Sequence, residues 1–91
     1  MSENERTLFI DFEFTMPDRN SRRRGFYQEI IEAGAVLVEN NKVVEQFSSY
    51  VRPNRFPALT ERCRSFLNIS QEQVNSGISF HDLAEKLKYM G

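Results

Sequence analysis

The segment from Thr7 to Thr15 constrains the fold most, because its side chains alternate in character with a period of two. Apolar side chains stand at every second position: Leu8, Ile10, Phe12 and Phe14. The positions between them carry Thr7, Phe9, Asp11 and Glu13. This alternation predicts a β-strand with one face against a core. Met16-Pro17-Asp18 ends the strand, because proline cannot donate to a β-ladder.

Asp11 and Glu13 share the other face of this strand, about 6.8 Å apart along the backbone. Two like charges on one face repel each other, and carboxylates are depleted in strands. A hard divalent cation would relieve that repulsion, since such ions take carboxylate oxygens. The plain alternative is that both acids face water. Phe12 and Phe14 fix the register, because a slip of one residue would bury both acids.

Two further strands follow. Ile30 to Val38 is rich in β-branched residues, and its Gly34 indicates a bulge or a close backbone approach. Glu39-Asn40-Asn41-Lys42 predicts a tight turn, because asparagine tolerates a positive φ. Val43 to Val51 would then pair with the preceding strand as an antiparallel hairpin.

The rest of the sequence has helical spacing. A short helix is predicted over Thr60 to Leu67, with Thr60 a weak N-cap, and a turn of helix from Ser70 through Val74, where Ser70 and Gln73 have capping-box spacing. Ser79 is predicted to cap a final helix. Its expected buried stripe is Phe80, Leu83, Ala84, Leu87 and Met90.

The composition fits one small soluble domain of 91 residues with a formal net charge of -1, which implies no general attraction to nucleic acid. Arginine is nevertheless clustered, and its planar fork of donors suits phosphate; solvated basic loops are the alternative. The clusters are Arg19, Arg22, Arg23 and Arg24, and then Arg52, Arg55, Arg62 and Arg64. The single cysteine, Cys63, excludes an internal disulfide, and the polar start Met1 to Arg6 has no signal-peptide pattern. We therefore expect a cytoplasmic protein with no membrane partner.

Four stretches together resemble one family, the DEDD (DnaQ-like) 3'–5' exonucleases. Leu8-Phe9-Ile10-Asp11-Phe12-Glu13-Phe14-Thr15 resembles the family's first motif, and Glu29 to Val36 its second strand. Leu59 to Cys63 and Ser65 to Ser70 are similar to the segment that often reads Leu-Thr-Gly-Ile. Within the family the likeness is to the KapD-type sporulation-inhibitor branch, which is related to the histone-mRNA exonucleases and belongs to the His-containing (DEDDh) group.

The resemblance implies an α/β, ribonuclease-H-like exonuclease fold, here as an N-terminal portion with three strands followed by two helices. In the family, four acids from three motifs hold two metal ions. By resemblance, Asp11 and Glu13 would be catalytic residues that bind Mg²⁺ or Mn²⁺, with Asp11 as the bridging ligand. Substrate contacts would come from Phe12, Phe14, Thr15, Met16, Phe66 and Leu67. Phe66 could instead be an ordinary core residue.

Other positions are expected to have structural roles. Asn68 stands where the family usually has glycine, and asparagine is the next best residue for a left-handed turn. Glu29 and Glu32 are interpreted as structural or surface acids rather than ligands. His81 is interpreted as a helix-start residue, because no acid follows it at the spacing of the family's third motif.

The resemblance also implies that part of the site is missing. The second motif would supply an Asp, and the third a His and an Asp, beyond the last helix. We therefore expect residues 1–91 to be the N-terminal part of a single exonuclease domain, truncated before those motifs and inactive alone. The partner would be the 3' end of single-stranded RNA or DNA. The first strand would lack its parallel neighbour, which predicts a homo-oligomer or a strand swap.

Two alternatives remain open at the level of the sequence. The chain could be a non-catalytic module that binds nucleic acid through Arg19 to Arg24, with a salt-dependent affinity that survives Asp11→Ala. It could also be a regulatory protein that binds a protein partner without metal.

Overall fold

The computed structural model describes residues 5–17 and 28–90. Three strands are followed by three helices, which confirms the predicted order of strands and helices but gives one helix more than the two predicted. The strands are β1 (Arg6–Phe14), β2 (Ile30–Glu39) and β3 (Lys42–Tyr50). The helices are α1 (Glu61–Leu67), α2 (Gln71–Asn75) and α3 (Phe80–Met90). The additional helix is the five-residue α2, which the sequence predicted as a single turn.

The three strands form one antiparallel sheet in the order β1-β2-β3. The β2–β3 hairpin closes over a two-residue turn in which Asn40 and Asn41 have φ values of 52° and 67°. This confirms the predicted turn, because positive φ at both central residues matches the twist of the paired strands. In the β1–β2 ladder, Asp11 lies opposite Gly34 and Glu13 lies opposite Glu32.

Gly34 is not the site of a bulge, so that part of the prediction was wrong. The ladders shift register at Glu13/Phe14 and at Leu37/Val38 instead. Gly34 sits in regular pairing, and a Cβ built there would have Phe47 O as its nearest contact, at 4.0 Å. Its use is therefore to leave space on the sheet surface rather than to bend the strand.

One face of the sheet carries the core, and α3 packs across it. Small side chains at the centre of β2, Ala33 and Ala35, are buried beneath the helix residues Leu83 and Met90. Small residues on the sheet let the helix approach closely, which suits a core of this modest size. These residues form two clusters, one with Ala33 and Leu83 and one with Ala35 and Met90. Leu87 packs against both.

The predicted stripe of α3 was too wide, because Phe80 and Ala84 are exposed. The positions that pack are spaced four and three residues apart, from Leu83 through Leu87 to Met90. A three-stranded sheet offers only a narrow surface, so a narrow stripe suffices to cover it.

A third cluster lies under α1 and α2, at the end of the sheet where β1 finishes. It contains Ile31, Leu59, Cys63, Ile69 and Val74. Both helices begin on a side-chain cap. Ser70 and Gln73 form the predicted capping box, and Thr60 Oγ1 accepts from the Cys63 N–H at 3.1 Å, so Thr60 is a better cap than its sequence context predicted.

The segment before α3 is fixed to the end of β3 by a short parallel bridge between Val51 and Ile78. The Arg52 N–H donates to the Ile78 carbonyl, and the Ile78 N–H donates to the Tyr50 carbonyl. Gly77 passes directly over this backbone, and a Cβ there would lie 2.5 Å from the Tyr50 carbonyl carbon. The bridge therefore requires glycine at this position. Within the described ranges, no helix has the length and apolar character needed to cross a membrane.

Replacing Gly77 by alanine should destabilise the fold by roughly 1–3 kcal/mol, because the new methyl group must displace backbone rather than a flexible side chain. Gly34→Ala is the matched control, since its Cβ would make only an ordinary contact at 4.0 Å. Urea denaturation followed by circular dichroism measures both. Equal stability of the two variants would contradict the close packing at Gly77.

Candidate metal centre

The paired acids lie on the face of the sheet opposite α3. Asp11 is exposed and Glu13 is half-buried, and both line a groove of about 230 Å³. The other residues of this groove are Glu32, Ala33, Gly34 and Ser48. Because Gly34 stands directly opposite Asp11 and has no side chain, the groove is open at the point where the Asp11 carboxylate reaches the surface.

The groove is acidic. Glu32 faces Glu13 across the ladder, and like charges in directly opposed positions destabilise a sheet. The groove includes Ser48 but no basic residue. This donor set of carboxylate oxygens and a hydroxyl fits a hard divalent cation such as Mg²⁺, which commonly uses one or two protein carboxylates and completes its coordination with water.

The part of the chain that the structure describes contains no group of three or more His, Cys, Asp or Glu residues placed to hold a metal ion. Glu32 is therefore near the pair but does not complete a three-ligand set. Asp11 and Glu13 line the same groove, and their role as metal ligands stays a prediction.

Phe12 and Phe14 point to the face away from the acids. Phe12 packs against the cluster of Ala33, Val51 and Leu83, and its ring meets that of Phe14 edge-on, with centroids 6.3 Å apart. Phe14 keeps 40% of its surface exposed. The structure thus brings Phe14, but not the side chain of Phe12, to an accessible position; substrate contact by either residue stays a prediction.

Thr15 and Met16 anchor the end of β1. Thr15 is buried, its N–H donates to the Glu29 carbonyl at 2.8 Å, and its hydroxyl oxygen accepts from the Glu29 N–H at 2.9 Å. Met16 packs against the α1–α2 cluster, and its carbonyl accepts from the Thr60 hydroxyl at 2.8 Å. These contacts hold the strand that carries the acids in place.

The two predicted substrate residues on α1 are placed differently from each other. Phe66 is 75% exposed, which excludes the alternative of an ordinary core residue. Leu67 is half-buried and packs on the cluster beneath the helix. The helix ends at Asn68, which has φ 55° and ψ 43°. Asparagine therefore adopts the left-handed conformation, as predicted, so the substitution for glycine is accommodated.

Glu29 has an anchoring role that could not be predicted from the sequence. Its carboxylate accepts the backbone N–H groups of Asn54, Arg55 and Phe56, at 2.7 to 3.1 Å. Since its own backbone pairs with Thr15, Glu29 ties the end of β1 to the loop that leads into α1. The available signal was an acid directly before a strand, followed later by a loop between two prolines, Pro53 and Pro57.

Among the described residues, the remaining candidates do not line this groove. Arg52, Arg55, Arg62 and Arg64 are all exposed, and Arg62 reaches the Pro17 carbonyl at 3.4 Å. The predicted basic loop with Arg19, Arg22, Arg23 and Arg24 lies outside the described residues. His81 is the second residue of α3 and lies beside Arg52 rather than the acids, consistent with a helix-start residue.

Cys63 joins α1 to the end of β1. It is fully buried, and its sulfur lies 4.0 Å from the Phe14 carbonyl oxygen. Burial raises the pKa of the Cys63 thiol above its ordinary value of 9.0, and a hydrogen bond with the Met16 backbone offsets part of the rise. The thiol is therefore a neutral packing group rather than a nucleophile.

The sheet packs α3 on one face and presents the carboxylates of Asp11 and Glu13 on the other. The family model described as "Exonuclease" (RNase T) matches residues 8–90. The chain therefore belongs to this exonuclease family, and its fold is ribonuclease-H-like. Membership of the family implies divalent metal ions.

Individual relatives agree with this. The chain is 58% identical over 80 residues to the probable 3'-5' exonuclease KapD of Bacillus subtilis, a match that covers 88% of this chain and 39% of that protein. It is 37% identical over 76 residues to ERI1 exoribonuclease 2 of Xenopus laevis, covering 81% of this chain and 11% of that one. The chain thus spans well under half the length of these relatives.

Solved structures give the same result. The nuclease domain of 3'hExo, described as a DEDDh family member bound to rAMP, superposes with a TM-score of 0.79 at 31% identity. That superposition covers 98% of this chain and 44% of the other. The predicted resemblance to DEDD exonucleases and to the KapD and histone-mRNA branches is confirmed.

Glu29→Ala should lower the free energy of unfolding by on the order of 2 kcal/mol, because three backbone N–H groups lose a charged acceptor. Glu85→Ala, at an exposed position on α3, is the control and should change stability little. Chemical denaturation measures both, and a Glu29→Ala variant as stable as Glu85→Ala would contradict the anchoring role.

Cys63 should make stability fall at alkaline pH. Because its folded-state pKa is raised, the unfolded chain loses the thiol proton first, so the stabilisation is complete below pH 9.0 and is lost as pH rises through the folded-state pKa. Denaturation of the wild type and of Cys63→Ala between pH 7 and 10.5 isolates this contribution. Parallel pH profiles of the two proteins would show that Cys63 does not contribute.

Proposed function

We propose that this chain is the acid-bearing part of a 3'–5' exonuclease that hydrolyses terminal nucleotides of single-stranded RNA or DNA. The observation that carries the proposal is the Asp11–Glu13 pair on the open face of β1, with Gly34 leaving space opposite Asp11. Membership of the exonuclease family supports it, as do relatives whose names describe exonucleases and exoribonucleases.

In this proposal Asp11 and Glu13 hold Mg²⁺ or Mn²⁺. The metal ions would supply Lewis-acid stabilisation of the phosphoryl oxygens and an activated water. Carboxylates suit this role because they bind hard cations and offset their charge. The terminal nucleotide would lie between the acids and α1, where the exposed ring of Phe66 is available to stack on a base. Thr15 and Met16 would act indirectly, because their contacts hold the end of β1 in place.

We infer further that residues 1–91 are the N-terminal part of one such domain and have little activity alone. Two acids supply only half of the family's four-acid ligand set, and the described residues hold no third ligand. Without the remaining acids and a general base, the attacking water lacks both a complete metal clamp and a proton acceptor. The predictions of a cytoplasmic location and of a homo-oligomer belong with this proposal.

A non-catalytic role is the second candidate, as a module that binds nucleic acid or a regulatory partner. The two-carboxylate site favours it, because such a site can hold a metal ion without completing the reaction. The two candidates differ in whether Asp11 is needed. Nucleic-acid binding through arginine alone would survive its loss and would weaken steeply with salt.

Asp11→Asn should abolish Mn²⁺ binding while leaving the circular dichroism spectrum unchanged, because Asp11 is exposed and the amide has the same shape. Titration calorimetry with MnCl₂ measures binding, with Glu85→Gln as the control. Incubation of a 3'-labelled oligoribonucleotide with Mn²⁺ tests activity. Mn²⁺ binding that persists in Asp11→Asn would contradict the site, and rapid trimming by this polypeptide alone would contradict the proposed incompleteness.

A further inference from the structure

Glu32 is the third carboxylate of the groove that Asp11 and Glu13 line. It lies on β2 directly opposite Glu13, is half-buried, and lines the same groove. In the described part of the chain, the ion pairs involve neither Glu13 nor Glu32. The two carboxylates therefore face each other across the ladder without a cationic partner among those residues.

This pairing is unfavourable for the sheet alone. Side chains directly opposite each other on antiparallel strands have Cβ atoms about 4.5–5.5 Å apart, and like charges in such positions destabilise the sheet. Partial burial strengthens the repulsion, because it lowers the effective dielectric constant between the charges. The neighbouring pair differs, since Asp11 stands opposite Gly34, which has no side chain. Departures from favourable local pairing are concentrated at functional sites, which points to a role for Glu32 in binding.

The position of Glu32 does not fit a third direct ligand. The described residues hold no group of three or more His, Cys, Asp or Glu placed to bind one ion. Mg²⁺ held by one or two carboxylates keeps several water ligands, because it dehydrates reluctantly. A carboxylate beside the ion can accept a hydrogen bond from such a water, and hydrogen bonds to a charged acceptor are roughly twice as strong as neutral ones. The place of Glu32 in the groove fits this indirect role.

We propose that Glu32 is a positioning residue of this metal site. Its carboxylate accepts a hydrogen bond from a water ligand of the ion bound by Asp11 and Glu13, and so fixes that water in the groove. The proposal rests on the proposed metal binding by Asp11 and Glu13. It implies effects of opposite sign: the charge of Glu32 lowers the stability of the metal-free chain by repelling Glu13, and it raises the affinity for the ion.

Titration of the chain with MnCl₂, with free Mn²⁺ measured by electron paramagnetic resonance, gives the affinity. Glu32→Gln keeps the shape of the side chain and removes its charge, so Mn²⁺ should bind roughly tenfold more weakly. Glu85→Gln is the matched control, because it removes one negative charge from an exposed position on α3 and should leave the affinity unchanged.

Urea denaturation followed by circular dichroism separates this role from a purely structural one. In EDTA, Glu32→Gln should unfold at a higher urea concentration than the wild type, because Glu13 no longer faces a like charge. At an equal excess of MnCl₂, the rise in the midpoint should be smaller for Glu32→Gln, since stabilisation by a ligand follows its affinity for the folded state. Replacing a residue that only supports the fold would instead lower the midpoint in EDTA.

The number of water ligands distinguishes an indirect contact from direct coordination. Relaxation of the solvent protons counts the waters bound to Mn²⁺, and Glu32→Ala should leave that number unchanged. A gain of a water ligand in Glu32→Ala would show that Glu32 coordinates the ion directly, and would overturn the proposal. Circular dichroism checks that this variant is folded.

The result for the wild type separates this proposal from the one on which it rests. If the wild type binds no Mn²⁺, both this proposal and the proposed metal site of Asp11 and Glu13 fail. If the wild type binds Mn²⁺ and Glu32→Gln binds it as tightly, or unfolds at a lower urea concentration in EDTA, the role of Glu32 is overturned and the metal site stands.

Discussion

The structure depends on the two-sided character of β1. One face of this strand must pack on the core, through Leu8 and Phe12, while the other must leave Asp11 and Glu13 accessible. Because side chains alternate strictly along a strand, both requirements fix the same register. A slip by one residue would bury two carboxylates, at a cost far larger than a small domain tolerates. The same register of β1 therefore serves both the core and the acidic face.

The end of β1 is held by contacts that do not touch the acids. The Thr15 backbone N–H and hydroxyl form hydrogen bonds with the backbone of Glu29. The Glu29 carboxylate in turn accepts hydrogen bonds from backbone N–H groups of the loop from Asn54 to Phe56. Thr60, the cap of α1, donates to Met16. These contacts join β1, the strand that carries the acids, to α1, the helix that exposes Phe66. Precise placement of metal ligands needs such support, because a loosely held carboxylate loses binding affinity.

Much of this fold could be predicted from the sequence, because its signals are local. The alternation of β1, the Asn40-Asn41 turn and the Ser70–Gln73 capping box each depend on a few neighbouring residues, and all three are present in the structure. Errors arose where distant packing decides. The exposure of Phe80 and Ala84 depends on the width of the sheet, and the role of Glu29 depends on a loop 25 residues away. For the site, the strand pattern placed Asp11 and Glu13 on one face and the family resemblance made them candidate ligands, but neither predicted the space that Gly34 leaves opposite Asp11.

Divalent metal binding by Asp11 and Glu13, on the open face of the sheet, is the proposal on which the functional interpretation depends. Paramagnetic broadening of backbone amide signals by substoichiometric Mn²⁺ tests it most directly, because the effect maps the ion onto the structure. If the ion binds there, broadening should centre on Asp11, Glu13, Gly34 and Ser48 and spare the amides of α3. Broadening centred instead on the surface acids of α2 or α3, with the signals of Asp11 and Glu13 unaffected, would contradict it.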